Sequence, residues 1–265
     1  MSKKVAIVTG GTSGIGRATA LALQERGYTV YELSRRAEGM PDIRHIVADI
    51  TKEETLQAAV EQVLAAEGRL DLVVNNAGFG ISGAIEFTDT QEAQRLFDTL
   101  FFGMVRMNRC VIPLMRQQGH GRIVSISSVA APVPIPFQAY YSAGKAAINA
   151  YTMALANELR PFGVTVCAVM PGDIKTGFTA ARHKIIAGDD IYQGRIGRSV
   201  QRMEHDEQTG MDPAKVGRYI AAVASREGSH HPLYATRIDY KFFVFLTKVL
   251  PARFLNWLIY QLYGK

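Results

Sequence analysis

Two cysteines in 265 residues are too few for a disulfide framework. Cys110 and Cys167 fall in apolar helix and strand contexts and are expected as reduced packing residues. The six histidines stand at no metal-ligand spacing, and His230-His231 reads as a polar turn, so no metal site is expected. Charge of one sign is nowhere concentrated. The net charge is +6, yet basic residues gather only in pairs such as Lys3-Lys4 and Arg35-Arg36. Nucleic-acid binding therefore gains no support, while an anionic ligand would be favoured. Long hydrophobic runs are missing too. The run after Lys3-Lys4 breaks at Gly10, too short for a signal peptide, so a cytoplasmic location is expected. Near the end, Lys248, Pro251 and Arg253 interrupt the apolar tail well before the roughly 20 residues a membrane span needs.

With no linker, repeat or low-complexity run, the chain reads as one domain, and 48% apolar content supplies its core. Strands are expected near residues 5–9, 29–34, 44–50, 70–75, 121–127 and 164–170. Helices are expected near 15–26, 53–67, 89–118, 138–161 and 213–226, the last opened by Asp212-Pro213 as N-cap and first-turn pair. Such alternation predicts an α/β fold with a parallel sheet covered on both faces.

Several strand ends carry polar or glycine residues. Val5-Ala-Ile-Val-Thr9 runs into Gly10-Gly-Thr12-Ser13-Gly14-Ile15-Gly16 and then a helix. Glycines let backbone approach a pyrophosphate, and the helix start presents free N–H groups and a positive dipole end. Asn75-Asn76-Ala77-Gly78 closes the strand through Val74, and Ser128 closes the next one. In an open parallel sheet these ends converge on one crevice. Tyr141-Ser-Ala-Gly-Lys145 adds an acid-base pair, since residues four apart on a helix share a face. An ammonium held near a phenol is expected to lower its pKa. Tyr140, five residues from Lys145, points elsewhere.

These motifs, in this order and from Val5 to about Tyr234, resemble the short-chain dehydrogenase/reductase superfamily. The resemblance implies a Rossmann-type doubly wound sheet and hydride transfer between a nicotinamide cofactor and a carbonyl or secondary alcohol. It assigns Ser128, Tyr141 and Lys145 to catalysis: Tyr141 donates the proton, Ser128 hydrogen-bonds the carbonyl oxygen, and Lys145 binds the nicotinamide ribose and tunes Tyr141. The thirteen-residue spacing to Tyr141 selects Ser128 over Ser127 and Ser125. Cofactor contacts are implied for Gly10, Thr12, Ser13, Gly14, Ile15, Gly16, Asp49, Ile50, Asn76, Ala77, Gly78, Tyr141, Lys145, Pro171, Gly172, Ile174 and Thr176. At the tip of the second strand Ser34 replaces an acid and is followed by Arg35 and Arg36, which favours the 2′-phosphate of NADP(H), Arg35 above Arg36. A homo-oligomer, dimer or tetramer, is expected as in relatives.

One position departs from the pattern. Leu100 stands where the family's catalytic tetrad places an Asn, and leucine neither donates nor accepts a hydrogen bond. Asn108, about 12 Å further along a helix, cannot substitute. The expectation is an active enzyme with an altered proton path; the alternative is a catalytically impaired dinucleotide-binding homologue with a regulatory or membrane-peripheral scaffolding role. Substrate choice would rest on two further segments. Residues 177–210 correspond to the family's mobile lid, where Arg182, His183, Lys184, Arg195, Arg198 and Arg202 could meet an acidic substrate group. Residues 242–265 form an amphipathic tail beyond a catalytic domain of 1–241, with Phe254, Leu255, Leu258, Ile259 and Leu262 on one helical face and Asn256 and Gln261 on another. It would pack on its own substrate cleft, on a partner subunit or on a membrane surface. Each reading favours a hydrophobic substrate, and similar tails occur in family members acting on steroids and retinoids.

Overall fold

The computed structural model describes residues 3–228 and 231–265, so His230 lies outside the described residues. Seven strands form the main sheet: β1 (Val5–Thr9), β2 (Thr29–Ser34), β3 (Arg44–Val47), β4 (Leu72–Asn75), β5 (Gly121–Ile126), β6 (Val164–Met170) and β7 (Leu233–Ala235). All pair in parallel, in the order β3-β2-β1-β4-β5-β6-β7. The order reverses between β1 and β4, so the loops leaving those two strands diverge and open a crevice. This is the doubly wound, Rossmann-type α/β fold.

Strand alternation divides the core in two. Val5 and Ile7 pack with Leu56, Val60, Met107, Val111 and Leu155, under α2 (Glu53–Glu67), α4 (Gly103–Gln118) and α5 (Ala139–Leu159). Ala6 and Val8 face the other way, onto Ala20, Leu23, Val216 and Ile220 of α1 (Gly14–Glu25) and α7 (Pro213–Ser225). A side chain on Gly217 would collide with the backbone of Ala18, so α1 and α7 cross in close contact there. The Asp212 carboxylate accepts from the Ala214 N–H at 2.9 Å, the cap expected of Asp212-Pro213. Cys167 is buried and Cys110 half-buried, both as free thiols.

Several boundaries differ from expectation. Strand β3 ends at Val47 rather than 50, because Asp49 turns the chain with its own side chain accepting from Thr51. The helix expected over 89–118 is two, α3 (Thr90–Phe97) and α4, joined by a wide π-helical turn over Asp98–Phe102 that contains Leu100. Strand β7 has three residues, too few for a periodic signal.

The lid segment is more than a solvated excursion. It holds a short helix, Phe178–Ala181, a two-residue strand paired with Ile81–Ser82, and α6 (Arg195–Gln208). Ile196, Val200 and Met203 of α6 bury themselves against Ala84 and the partly buried Phe137 and Tyr263 as a small core of their own. The tail is two helices, α8 (Ile238–Val249) and α9 (Ala252–Ile259), separated at Pro251 and followed by a final turn, Tyr260–Gly264. Its apolar residues do not share one face. Ile259 is buried and Leu255 and Leu258 half-buried, whereas Phe254 and Leu262 are exposed; of the polar pair, Asn256 is exposed but Gln261 is half-buried. Among the described residues, no helix is long and apolar enough to cross a membrane, and no group of three or more His, Cys, Asp or Glu could hold a metal.

Candidate active site

A cleft of about 1180 Å³ opens at the carboxyl ends of the strands. Its dinucleotide end is built from backbone. Gly10 and Gly14 adopt left-handed φ values of 66° and 52°, and a Cβ on Gly16 would lie 2.3 Å from the Gly10 carbonyl oxygen. Gly16 therefore closes the turn from behind and does not line the cleft, while Gly10, Thr12, Ser13, Gly14 and Ile15 do. Ser13 caps α1 without a side-chain hydrogen bond, so the first N–H groups of the helix stay available to an anion. Asn76 fastens the loop to β4: its Nδ2 donates to the carbonyls of Thr9 and Gly10, and the Thr9 hydroxyl oxygen accepts from the N–H groups of Asn76 and Ala77.

Further along, Ser34, Arg35, Arg36, Asp49 and Ile50 line the same cleft. Burial tends to raise the Asp49 carboxyl, but hydrogen bonds from Thr51 and the charges of Arg35 and Lys52 outweigh it and hold the pKa below its usual value. Neither Arg35 nor Arg36 forms an ion pair among the described residues. The Arg36 carbonyl contacts His45 Nε2 at 3.0 Å, and His45 Nδ1 in turn meets the wholly buried Glu32 carboxylate, which braces the loop after β2.

At the opposite end, Ser128, Tyr141 and Lys145 converge. Helix α5 presents Tyr141 and Lys145 on one face, with the ammonium 5.5 Å from the ring centroid. Lys145 Nζ donates to the Ile126 carbonyl at 2.7 Å, and the Ser127 hydroxyl donates to the Lys145 carbonyl at 3.1 Å, so the end of β5 fixes this helix turn. Ser125, Ser127 and Tyr140 are engaged elsewhere: Ser127 donates to the backbone, Ser125 is buried against Met104, and Tyr140 packs on the cluster of Ile81, Leu96 and Leu100.

The electrostatics depart from expectation. Burial pushes the Tyr141 phenol up to about 12; a hydrogen bond with Ser128 opposes this, and Glu207 and Asp173 add to it. Burial likewise lowers Lys145 to about 7. Desolvation thus dominates both groups, and the phenol is not pulled down by Lys145 as expected.

Leu100 sits behind this trio, buried against Tyr140 and Tyr141. Its side chain fills the space over Gly78, where a Cβ would meet Leu100 Cδ2 at 2.4 Å. A second cavity of about 10 Å³, lined by Thr9, Asn75, Leu100, Met104 and Lys145 among others, lies beneath. That is the lower bound for one water. Asn108 is tied to Asn75 at 2.8 Å inside the core and does not line this cavity.

Over the site lies the lid. Phe178 packs on Tyr141 with centroids 5.7 Å apart, and Met203, Glu207 and Tyr263 line the rim. Its basic residues are occupied internally, so they do not await an acidic substrate. Arg182 pairs with Glu207, His183 with Glu92, Lys184 with Glu204 and Arg202 with Asp206, while Arg195 and Arg198 donate to the carbonyls of Gly264 and Lys265. Tyr263 donates to Asp206 at 3.0 Å, which brings the tail to the rim. The tail also reaches the Pro171-Gly172 turn. The Tyr240 ring lies where a Gly172 side chain would be, and its hydroxyl accepts from the Asp173 N–H. Pro171, Ile174 and Thr176 line the cleft beside it. Tyr240 and Tyr263 carry no local sequence signal, since each acts on a residue far away in the chain.

Comparison with known proteins agrees with this architecture. A family model described as short chain dehydrogenase matches residues 4–185. The 3-ketodihydrosphingosine reductase of Bacteroides thetaiotaomicron is 37% identical over 261 residues, covering 97% of this chain and 94% of that protein. The crystal structure of a short-chain dehydrogenase from Streptomyces avermitilis superposes with a TM-score of 0.84 at 32% identity, over 98% of this chain and 97% of that one. The 3-ketoacyl-(acyl-carrier-protein) reductase from Brucella melitensis, complexed with NADH, gives 0.74 at 27% identity, over 88% and 96%. A family match over most of the chain, with the strand order and cleft to go with it, means that this protein belongs to the short-chain dehydrogenases, a family of nicotinamide-dependent oxidoreductases.

Proposed function

We propose that the protein is an NADP(H)-dependent reductase or dehydrogenase acting between a ketone and a secondary alcohol on a long-chain, lipid-like substrate. The observation that carries this reading is the convergence of Ser128, Tyr141 and Lys145 at one end of a cleft whose other end is a glycine cradle. The cradle fits a dinucleotide, because side chains at Gly10, Gly14 or Gly16 would be strained or obstructed and the helix start behind it is uncapped. Thr12, Ser13, Gly14 and Ile15 would hold the pyrophosphate. Asp49 and Ile50 would flank the adenine, and Asn76, Ala77, Gly78, Pro171, Gly172, Ile174 and Thr176 would border the rest of the track. The preference for NADP(H) rests on Arg35 and Arg36, which line the cleft and form no ion pair among the described residues, next to Ser34 where an acid would repel a 2′-phosphate.

When bound, the dinucleotide supplies or accepts the hydride. The chain's own residues handle the oxygen and the proton. In reduction, the Tyr141 hydroxyl donates its proton to the carbonyl oxygen, and a phenol held protonated up to about 12 is in the correct form to do so. The Ser128 hydroxyl donates a hydrogen bond to the same oxygen as negative charge develops there. Lys145, its ammonium 5.5 Å from the Tyr141 ring centroid, would then steady the phenolate electrostatically and return a proton toward it.

The lipid-like substrate is supported by the apolar rim of Phe79, Ile135, Phe178 and Met203 and by the activity named for the Bacteroides relative. Asp173, which lines the cleft and accepts from the Tyr240 hydroxyl without an ion pair among the described residues, would suit a cationic amino group such as that of a 3-keto sphingoid base, whereas Glu207 is already paired with Arg182. Assembly into a homo-oligomer is proposed through α4 and α5 and the turn before α4, where Phe102 and Met153 are exposed; light scattering measures it. The test of the whole reading is dinucleotide oxidation against a panel of long-chain ketones, 3-ketodihydrosphingosine included, with NADPH and NADH in parallel. Turnover with NADPH is expected. Leu100 favours a second reading, a dinucleotide-binding homologue without turnover, and NADPH binding with no oxidation across the panel would establish it instead.

A further inference from the structure

Helix α8 is apolar on more than one side: Val244, Leu246 and Leu250 at its C-terminal end are half-buried, yet a second apolar row stays outside. Ile238, Phe242, Phe245 and Val249 recur at i, i+4, i+7 and i+11, which aligns them in one stripe of the helix. A stripe of that spacing ordinarily meets the core, yet these four are 87, 60, 55 and 55% exposed. The opposite side is held by Tyr240 on the Gly172 turn, so the outward orientation is set by contacts and not by fraying. Beyond Pro251, α9 adds Phe254 and Trp257, both exposed and stacked with centroids 5.7 Å apart.

Charge accompanies the stripe. Lys241 and Lys248, one heptad apart, run along its edge, and Arg253 stands beside Phe254. All three are exposed and none has an ion-pair partner among the described residues. Asp239 is the one acid from residue 237 onward, and Arg237 neutralises it.

We propose that α8 and α9 form a docking surface for an anionic lipid bilayer, with Ile238, Phe242, Phe245, Val249, Phe254 and Trp257 entering the headgroup boundary and Lys241, Lys248 and Arg253 meeting acidic headgroups. Exposed aromatics beside lysine and arginine match the chemistry of an interfacial helix. A second copy of the chain matches it less well, because across a two-fold contact the face offers no free acid to pair with Lys241, Lys248 or Arg253. Since the same tail ends in Tyr263 at the rim of the cleft, docking would bring the substrate entrance close to the membrane surface.

Trp257 is the only tryptophan of the chain, so its emission reports on this face alone. The experiment titrates the full-length protein with phosphatidylcholine vesicles, with and without phosphatidylglycerol, some carrying brominated acyl chains. No turnover is read, so its result is independent of the proposed reaction. Expected is a blue shift and bromine quenching of Trp257 with anionic vesicles at low salt, with partition about tenfold or more above neutral vesicles. Lys241→Glu with Lys248→Glu should remove most of that preference. Phe242→Ser with Phe245→Ser should remove most of the partition while NADPH binding, measured as a check on folding, is kept. Unchanged Trp257 emission with anionic vesicles would overturn the proposal, as would equal partition into neutral ones. A dimer seen by light scattering that buries Trp257 and stays off the vesicles would overturn it too.

Discussion

The glycine cradle and the lid close the same cleft from opposite ends by different means. At the cradle, backbone sets the shape: Gly16 lies against the Gly10 carbonyl, and the Asn76 side chain ties the loop to β4 through main-chain acceptors. At the lid, side chains meet side chains: Arg182 with Glu207, Lys184 with Glu204, Tyr263 with Asp206. Backbone packing admits few substitutes and recognises what every dinucleotide shares. Pairs of long side chains can be exchanged without disturbing the sheet, so variation in substrate falls there.

Tyr141 stands where the two ends meet, and its replacement tests the division most severely. Tyr141→Phe keeps the ring against Phe178 and removes the proposed proton donor. Turnover should fall about 10²-fold or more while dinucleotide affinity stays nearly constant. Retention of most activity would show that the proton comes from elsewhere. The next effect belongs to the cradle end alone. Arg35→Ala should weaken NADPH binding by about tenfold, the cost of one charge-assisted contact, and leave NADH little changed. Titrations with both dinucleotides decide it, and equal losses would sever Arg35 from the 2′-phosphate.

The same division separates what was legible in the chain from what was not. Strand, glycine turn and helix are local, and so are Tyr141 and Lys145, four residues apart; their placement follows from backbone geometry that short stretches encode. Tyr240, Tyr263 and Glu207 act on partners 67, 57 and 25 residues away, and no periodicity reports such a pairing. The tail shows a subtler limit. Spacing reveals that a helix has an apolar stripe but not which way that stripe faces, and Phe254, grouped by spacing with Leu258, points to the outside. The direction of the Tyr141 shift was illegible for a related reason, since it depends on burial by segments remote in sequence, Phe178 and Glu207 among them.

A milder substitution sharpens the lid side. Tyr263→Phe removes the hydrogen bond to Asp206 but keeps the ring at the rim. Losing one such bond is worth about 0.5–1.5 kcal/mol, so KM for a long-chain ketone should rise by a few fold. Dinucleotide affinity should not move. A change in both, measured by steady-state kinetics and by titration, would mean that lid and cradle are coupled and the division is too sharp.

The smallest effect on turnover should fall at Leu100, the position expected from the sequence pattern to carry an asparagine. Leu100 fills the space between Gly78 and Gly144 and leaves only about 10 Å³ beneath Lys145. If protons reach Lys145 through that cavity or along the cleft, the leucine is packing, and Leu100→Asn exchanges a buried apolar contact for a buried amide. Stability should then drop by about 1–3 kcal/mol in chemical denaturation while turnover changes about twofold at most. If instead the leucine throttles the relay, the asparagine would fix a water near Lys145 and turnover would rise. The intact trio and the position of Leu100 behind the reacting oxygen favour the first outcome. A solvent isotope effect on turnover separates them, because a throttled relay makes proton movement rate-limiting. An effect that is large in the natural protein and shrinks in Leu100→Asn would place the leucine in the proton path.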